Sequence, residues 1–297
     1  METITIRNRS DATSFIDRLK RSWELVKESF RILMLDKELL LFPLISGVFL
    51  IFVVITYVLP LFFGQIIFAK VQARSPIYYI WTFFTLYLLS YFVIIFFNVA
   101  LISCVSLRLK GSNPVLKDGF KSAFRNLHKI AVWAVVSATV GVIINTIENK
   151  SEWLGKLLAS IAGIVWSLAT FFVVPVMIFE NRNIFGSLRR SAELFKKTWG
   201  ETIAGEIGMG AFFGFLSMIC ILGFISSIFI TFFANGAVFL FVPLALLFAA
   251  VLFVVIPMVS SALNGIYLTA LYIYATTRKV PKGFSQEFVK NAYAKKV

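Results

Sequence analysis

Residues 207–277 read IGMGAFFGFL SMICILGFIS SIFITFFANG AVFLFVPLAL LFAAVLFVVI PMVSSALNGI YLTALYIYAT T, from Ile207 to Thr277 without one Asp, Glu, Lys, Arg or His. A helix that crosses a bilayer needs about 20 mostly apolar residues. A run of 71 residues therefore holds more than one span. Asn235-Gly236 is its best break, because that pair favours a tight turn. The part after this pair is itself long enough to cross twice, with Pro257 as the place for a second break. Length alone leaves six or seven spans open.

Four more charge-free runs lie upstream: Leu39–Ala69, Ser75–Leu107, Ile130–Ile147 and Leu157–Phe179. Six spans follow, at roughly 40–62, 78–106, 130–147, 157–179, 207–232 and 239–275. The distribution of charge chooses between six and seven. Lys and Arg number eight in residues 1–38, six in 108–129, five in 180–206 and six in 278–297. The alternate segments 70–74, 148–156 and 233–238 carry two, two and none. Six spans thus put 25 basic residues on one side and four on the other. The positive-inside rule makes the rich side cytoplasmic, with both termini there. A seventh span would export the basic tail and is rejected.

Composition agrees with this reading. The 297 residues are 59% apolar and 15% charged, with a mean hydropathy of +0.86. An average soluble domain is about 45–50% apolar and about 25% charged. One buried core cannot absorb that excess, and a disordered chain or a disulfide-stapled secreted module is excluded. The expected class is all-α: a polytopic transmembrane bundle of six spans in the cell membrane. Residues 1–38 precede the membrane domain at 39–277, and 278–297 form a basic tail. No cleavable signal peptide is expected, since the first apolar run starts only after 38 mixed-charge residues. The net charge of +14 sits beside the spans, where it serves topology and contacts with anionic lipid, so nucleic acid is not an expected partner.

The basic segments carry helical patterns of their own. Phe15, Leu19, Trp23, Val26, Phe30 and Leu33 recur every three or four positions, with Lys20, Arg21 and Lys27 on the other faces. Ile184, Leu188, Ala192, Phe195 and Trp199 repeat the design against Arg189, Arg190, Lys196 and Lys197. Leu116, Phe120, Phe124, Leu127 and Ala131 form a third stripe. Such helices either lie in the headgroup plane, apolar face down, or pack on the protein's own end, and one helix can do both. Leu19–Phe30 and Leu188–Trp199 also align residue by residue, with six of twelve pairs identical. A three-fold repeat of interfacial helix plus two-span hairpin is inferred, at about 12–107, 115–179 and 184–277.

Ser22-Trp23-Glu24-Leu25, followed by Asp36-Lys37-Glu38-Leu39-Leu40-Leu41-Phe42-Pro43-Leu44, resembles the opening of a prokaryotic integral-membrane family of unknown function. The run Pro175…Phe179-Glu180-Asn181-Arg182…Ser187-Leu188-Arg189-Arg190-Ser191 is similar to a motif of that family. It is also loosely similar to membrane domains attached to some bacterial glycerophosphodiester phosphodiesterases. The resemblance implies a multi-span membrane protein and leaves activity open. No soluble phosphodiesterase domain is present, so no catalytic residue carries over.

Catalytic chemistry is poorly provided for, and the chain reads as a non-enzyme without metal or cofactor. His128 is the only histidine, and Cys104 and Cys220 lie inside apolar runs without ligand spacing. No GxSxG, HExxH or phosphate-cradling glycine loop occurs. The spans contain no ionisable residue away from their ends, which disfavours an ion-coupled pump. They do contain Asn98, Asn145 and Asn264, read as interhelical glue or as a site for a neutral solute. Pro175 and Pro257 stand in similar contexts in spans four and six, as kinks or as broken-helix sites. Ala159/Gly163, Gly210/Gly214 and Ser261/Gly265 offer close-packing seams.

Glu180-Asn181-Arg182 is the most informative polar cluster. It has two readings. In one, Glu180 holds Arg182 and Arg189 or Arg190 for the phosphate of a lipid headgroup. In the other, the simpler one, it is a surface turn in which Asn183 caps the next helix. Expected partners are anionic lipids, with a second copy or another membrane protein also open. The leading functional reading is lipid or partner binding through the basic interfacial helices. The alternative is a transporter or channel for a small neutral or amphipathic solute.

Overall fold

In a bilayer core no water satisfies backbone N–H and C=O groups, so each apolar run closes its own hydrogen bonds as a helix. The computed structural model describes residues 26–67, 76–150, 153–233 and 238–284, and among these no strand occurs. Residues 26–35 form α1. A 3-10 turn at Lys37–Leu40 leads into α2 (Leu41–Ile67), followed by α3 (Pro76–Leu109) and the short α4 (Leu116–Arg125). Next come α5 (Leu127–Lys150), α6 (Trp153–Thr170), α7 (Val173–Phe179), α8 (Ile184–Lys197), α9 (Trp199–Phe233) and α10 (Val238–Thr277).

Six of these segments are long and apolar enough to cross a membrane: Lys37–Leu59, Ile80–Leu109, Leu127–Glu148, Trp153–Phe179, Gly208–Phe229 and Pro243–Thr277. The chain is a multi-pass membrane protein. No seventh span splits the last run, because α10 passes through Pro243 and Pro257 as one helix of 40 residues. At 1.5 Å per residue it is about 60 Å long. The Asn235-Gly236 turn, the start of the first interfacial helix and the tail from 285 lie outside the described residues.

Span four is interrupted where span six is not. The Pro175 ring has no N–H and crowds the carbonyl four residues earlier. That residue is Phe171, and residues 171–172 form the turn that separates α6 from α7. The Phe172 N–H, freed by the break, donates to Ser191 Oγ of α8 at 2.9 Å. A buried donor is thus satisfied by a helix that sequence pattern placed at the surface.

The return helices of the three hairpins stop in a similar way at one end of the bundle. Gly111 (φ 93°), Asn181 (φ 50°) and Arg278 (φ 58°) follow α3, α7 and α10 in the left-handed conformation. Such residues end helices by turning the chain back on the last carbonyls. Ser112 N–H donates to Leu107 O at 3.0 Å in this manner. The same end carries α1, α4 and α8. Lys282 N–H reaches Leu109 O at 3.3 Å, and Arg108 pairs with Asp36 at 2.8 Å. We call this the basic end.

The core lies toward the basic end and is built on α3. Val99, Ala100, Leu101, Ile102, Cys104 and Val105 are buried in succession, because α2, α4, α5, α7 and α10 surround them. Phe172, Val173, Val176 and Met177 are fully buried beside them, as are Leu263 and Ile266 of α10. Away from this end the outward faces of α2, α6, α9 and α10 present large apolar side chains, such as Phe52, Leu158, Phe229 and Phe248. Lipid-facing helices require no inward polarity contrast, which is why these spans lack a polar face.

α1, α4 and α8 meet the bundle on faces that overlap the predicted apolar stripes, as at Val26, Leu33, Ile184 and Phe195, but are turned from them toward small residues. In α8 the buried residues are Ile184, Ser187, Ser191, Leu194 and Phe195. Leu188 and Ala192 are half-buried, and Trp199, in the predicted stripe, falls beyond α8 as the first residue of α9 and is 58% exposed. In α1, Val26, Ser29, Ile32 and Leu33 are buried while Phe30 faces out. In α4, Gly119, Ser122 and Ala123 are buried while Phe124 is exposed. Small residues decide the contact, since they let helix backbones approach closely. A Cβ on Gly119 would stand 2.7 Å from Ala100 O and 2.9 Å from Cys104 Sγ. Ser103 Oγ donates to Ser122 Oγ at 2.7 Å across the same contact. Protein packing therefore holds one face of each helix, and the exposed aromatics belong to another.

Candidate functional site

Three helices, α7, α8 and α10, meet at Glu180, the residue that caps the end of α7. Its Oε2 accepts from Arg182 Nε at 2.6 Å. Its Oε1 accepts from Arg190 Nε of α8 at 3.2 Å and from Tyr272 Oη of α10 at 3.4 Å. The Glu180 side chain is 18% exposed, and those of Arg182 and Arg190 are 49% and 25% exposed. Arg190 also reaches Glu193 at 3.5 Å. Burial pulls the Arg190 guanidinium down, and the bonds and charges of Glu180 and then Glu193 more than offset it, so it stands above its ordinary value. The cluster joins the end of span four to an interfacial helix and to span six.

The turn after Glu180 is itself organised. Asn183 Oδ1 accepts from Gly186 N–H at 2.8 Å, capping α8 as the turn reading expects. Asn181 adopts the left-handed conformation, and its Oδ1 accepts from Lys129 Nζ at 2.5 Å. Lys129 also donates to Met177 O at 3.3 Å, one of the carbonyls orphaned at the end of α7. Lys110, at the end of α3, lies with Nζ 5.8 Å from the Phe179 ring centroid. Sequence reading missed Lys110, Lys129 and Tyr272. None is near Glu180 in the chain, and only the convergence of α3, α5 and α10 brings them together.

The other predicted residues are distributed as follows. Arg189 is exposed and pairs with Glu193 at 3.5 Å on α8, so it is not a partner of Glu180. Lys196, Lys197 and Lys27 are exposed. Lys20 and Arg21 lie outside the described residues. On α8 the outward positions Phe185, Arg189 and Lys196 share one side at helical spacing, with Phe185 78% exposed; Trp199, the first residue of α9, is exposed just beyond the Thr198 cap.

The intramembrane asparagines do not form one site. Asn98 of α3 is half-buried, and Asn145 of α5 is exposed near the opposite end. Asn264 of α10 hydrogen-bonds Glu206 of α9. Glu206 stands just ahead of the span that begins at Gly208. Burial pushes its carboxyl up from the ordinary 4.5, and the Asn264 bond draws it part of the way back. Of the small-residue seams, Gly265 packs on Leu101, whereas Gly163, Gly210 and Gly214 face open space within the chain.

A family model matches residues 77–283, described as a family of unknown function (DUF6159). The chain belongs to this family. The match covers the region from α3 to just beyond α10, including Glu180 and every partner of it named above. It carries neither an activity nor a link to phosphodiesterase membrane domains. No curated protein and no solved structure matches the chain.

Proposed function

We propose that this family member is a non-enzymatic protein of the cell membrane, with both termini in the cytoplasm. In this reading the basic end binds anionic lipid through the outward faces of its interfacial helices. The observation that carries it is the two-sidedness of α8. One face is pinned to the bundle by Ser187, Ser191 and Leu194. The other presents Phe185, Arg189 and Lys196, and Trp199, the first residue of α9, is exposed just past its end. Aromatic rings with cations between them suit the level of the headgroups. Each cation near an anionic surface contributes about 1 kcal/mol before screening.

The test is flotation with vesicles of phosphatidylcholine alone against vesicles with added phosphatidylglycerol, using the protein reconstituted in nanodiscs of neutral lipid. Replacing Arg189, Lys196 and Lys197 by Gln should abolish the preference for the anionic vesicles. An undiminished preference rejects the role of this face. Reporters after Val297 and in the loop at 148–153 test orientation, and should read cytoplasmic and external. The alternative, a transporter of a small neutral or amphipathic solute, draws on the Glu206–Asn264 pair between α9 and α10. Uptake into proteoliposomes that is abolished by Glu206→Gln would favour it.

A further inference from the structure

We propose that Lys110, Lys129 and Asn181 form a discrete site for one phosphate-bearing headgroup, set between the basic ends of spans two, three and four. The site rests on the reading that the basic end faces anionic lipid, and it is distinct from the outward face of α8. Its starting point is a mismatch of charge around one turn. Arg182 and Arg190 share Glu180, and Arg189 and Arg190 share Glu193. These two carboxylates are fully engaged by arginines. Among the described residues, Lys110 and Lys129 have no acidic partner.

Both ammonium groups are nevertheless held in place. Lys129 is tethered by two neutral acceptors, the Met177 carbonyl at 3.3 Å and Asn181 Oδ1 at 2.5 Å. An ammonium has three donors, so one N–H of Lys129 remains for a ligand. Lys110 rests against the Phe179 ring, an aromatic contact that orients a cation without neutralising it. The Asn181 side-chain NH2, on the far side of the amide from the oxygen that Lys129 uses, adds two more donors. Two point charges and an amide about a helix end suit the several oxygens of a phosphate, for which lysine acts as a point charge. Basic recesses between spans at the cytoplasmic level are where anionic headgroups bind. Glu180 has a part here as well: it withdraws the neighbouring arginines, so that the incoming anion meets the lysines.

The experiment uses the full chain in a mild detergent, with native mass spectrometry counting bound lipid and thermal shift reading affinity. The probes are phosphatidylglycerol, phosphatidylcholine and inorganic phosphate. The native chain should retain one phosphatidylglycerol more tightly than the rest and raise its melting temperature with it. Lys110→Gln should weaken that lipid on the order of fivefold, and Lys110→Gln with Lys129→Gln on the order of twenty-fivefold. The triple change at Arg189, Lys196 and Lys197 should leave this one lipid in place while vesicle preference is lost, which separates failure of the site from failure of the outer-face reading. Competition by inorganic phosphate at millimolar concentration would assign the site to free phosphate, and no competition assigns it to the lipid; either outcome retains the phosphate chemistry. Equal binding of phosphatidylcholine and phosphatidylglycerol overturns the proposal, as does undiminished binding in the double variant. Lys129 also caps α7, so Lys129→Gln can disturb the fold. Lys110 holds no helix carbonyl among the described residues, and its single variant decides the question alone if the double variant is unstable.

Discussion

Removing the Glu180 carboxylate tests whether the ends of spans four and six are joined through an interfacial helix. Glu180→Ala withdraws the acceptor of Arg182 at 2.6 Å, Arg190 at 3.2 Å and Tyr272 at 3.4 Å. An exposed ion pair contributes about 0–1 kcal/mol. Breaking a buried pair costs about 3–5 kcal/mol, because a charge is left without a partner. The cluster lies between these limits. Arg182, half exposed, re-enters water at little cost, whereas Arg190, at 25% exposure, keeps only the distant and more exposed Glu193. The Tyr272 bond is long and contributes at the low end of about 0.5–1.5 kcal/mol. We therefore expect Glu180→Ala to destabilise by about 2–3 kcal/mol, against the small effect of a mere surface turn. Reversible unfolding in mixed detergent–SDS micelles measures it, with Glu193→Gln as a control expected within about 0.5 kcal/mol. A double-mutant cycle with Arg190→Gln should show coupling of about 1–2 kcal/mol. Coupling near zero, or a Glu180→Ala variant as stable as the native chain, would refute the reasoning.

Ser191→Ala should cost about 1–3 kcal/mol in the same unfolding assay, since it strands the Phe172 N–H at the break in span four. Gly119→Ala should cost about 1–3 kcal/mol, because the added methyl meets the Ala100 carbonyl, which is backbone and cannot step aside; Gly47→Ala, with nothing within 4 Å, should not destabilise through a clash. Glu206→Gln should alter the pH dependence of stability. A carboxyl raised in the folded state binds its proton more tightly there than in the unfolded chain, so its contribution declines as pH rises from the ordinary 4.5 through the raised value. The Gln variant should be close to native in stability below that window and gain on it above. A constant difference across pH 4–8 would contradict this.

How much was legible in the sequence varies with the kind of interaction. The six spans could be read because desolvation of charge and peptide groups acts on composition alone, residue by residue. The 71-residue run resolves into two long helices, and the residues just past α10 lie at the basic end, where Lys282 N–H reaches Leu109 O. Half of the Glu180 cluster was also legible, because Arg182 and Arg190 lie within ten residues of it and a helix brings the latter round. Asn183 as the cap of α8 was local too.

The face by which α1, α4 and α8 dock was only partly legible, since Val26, Leu33, Ile184 and Phe195 of the apolar stripes are buried but the small residues beside them carry no such signal. Periodicity ranks faces by apolarity, and on that scale Trp199 and Phe124 belong inside. In a membrane protein an exposed aromatic side chain is not penalised as it is in water, so much of the contact goes to the small residues Ser187, Ser191, Gly119 and Ser122, which allow close backbone approach. Lys110, Lys129 and Tyr272 come from elements far apart in the chain, and nothing in their local sequence marks them as neighbours of residues 177–181. The sequence by itself determined which segments leave water and where charge must stay, because transfer free energy is a property of each side chain. Only the tertiary structure decided which polar groups meet, because that depends on how close two helix backbones can come.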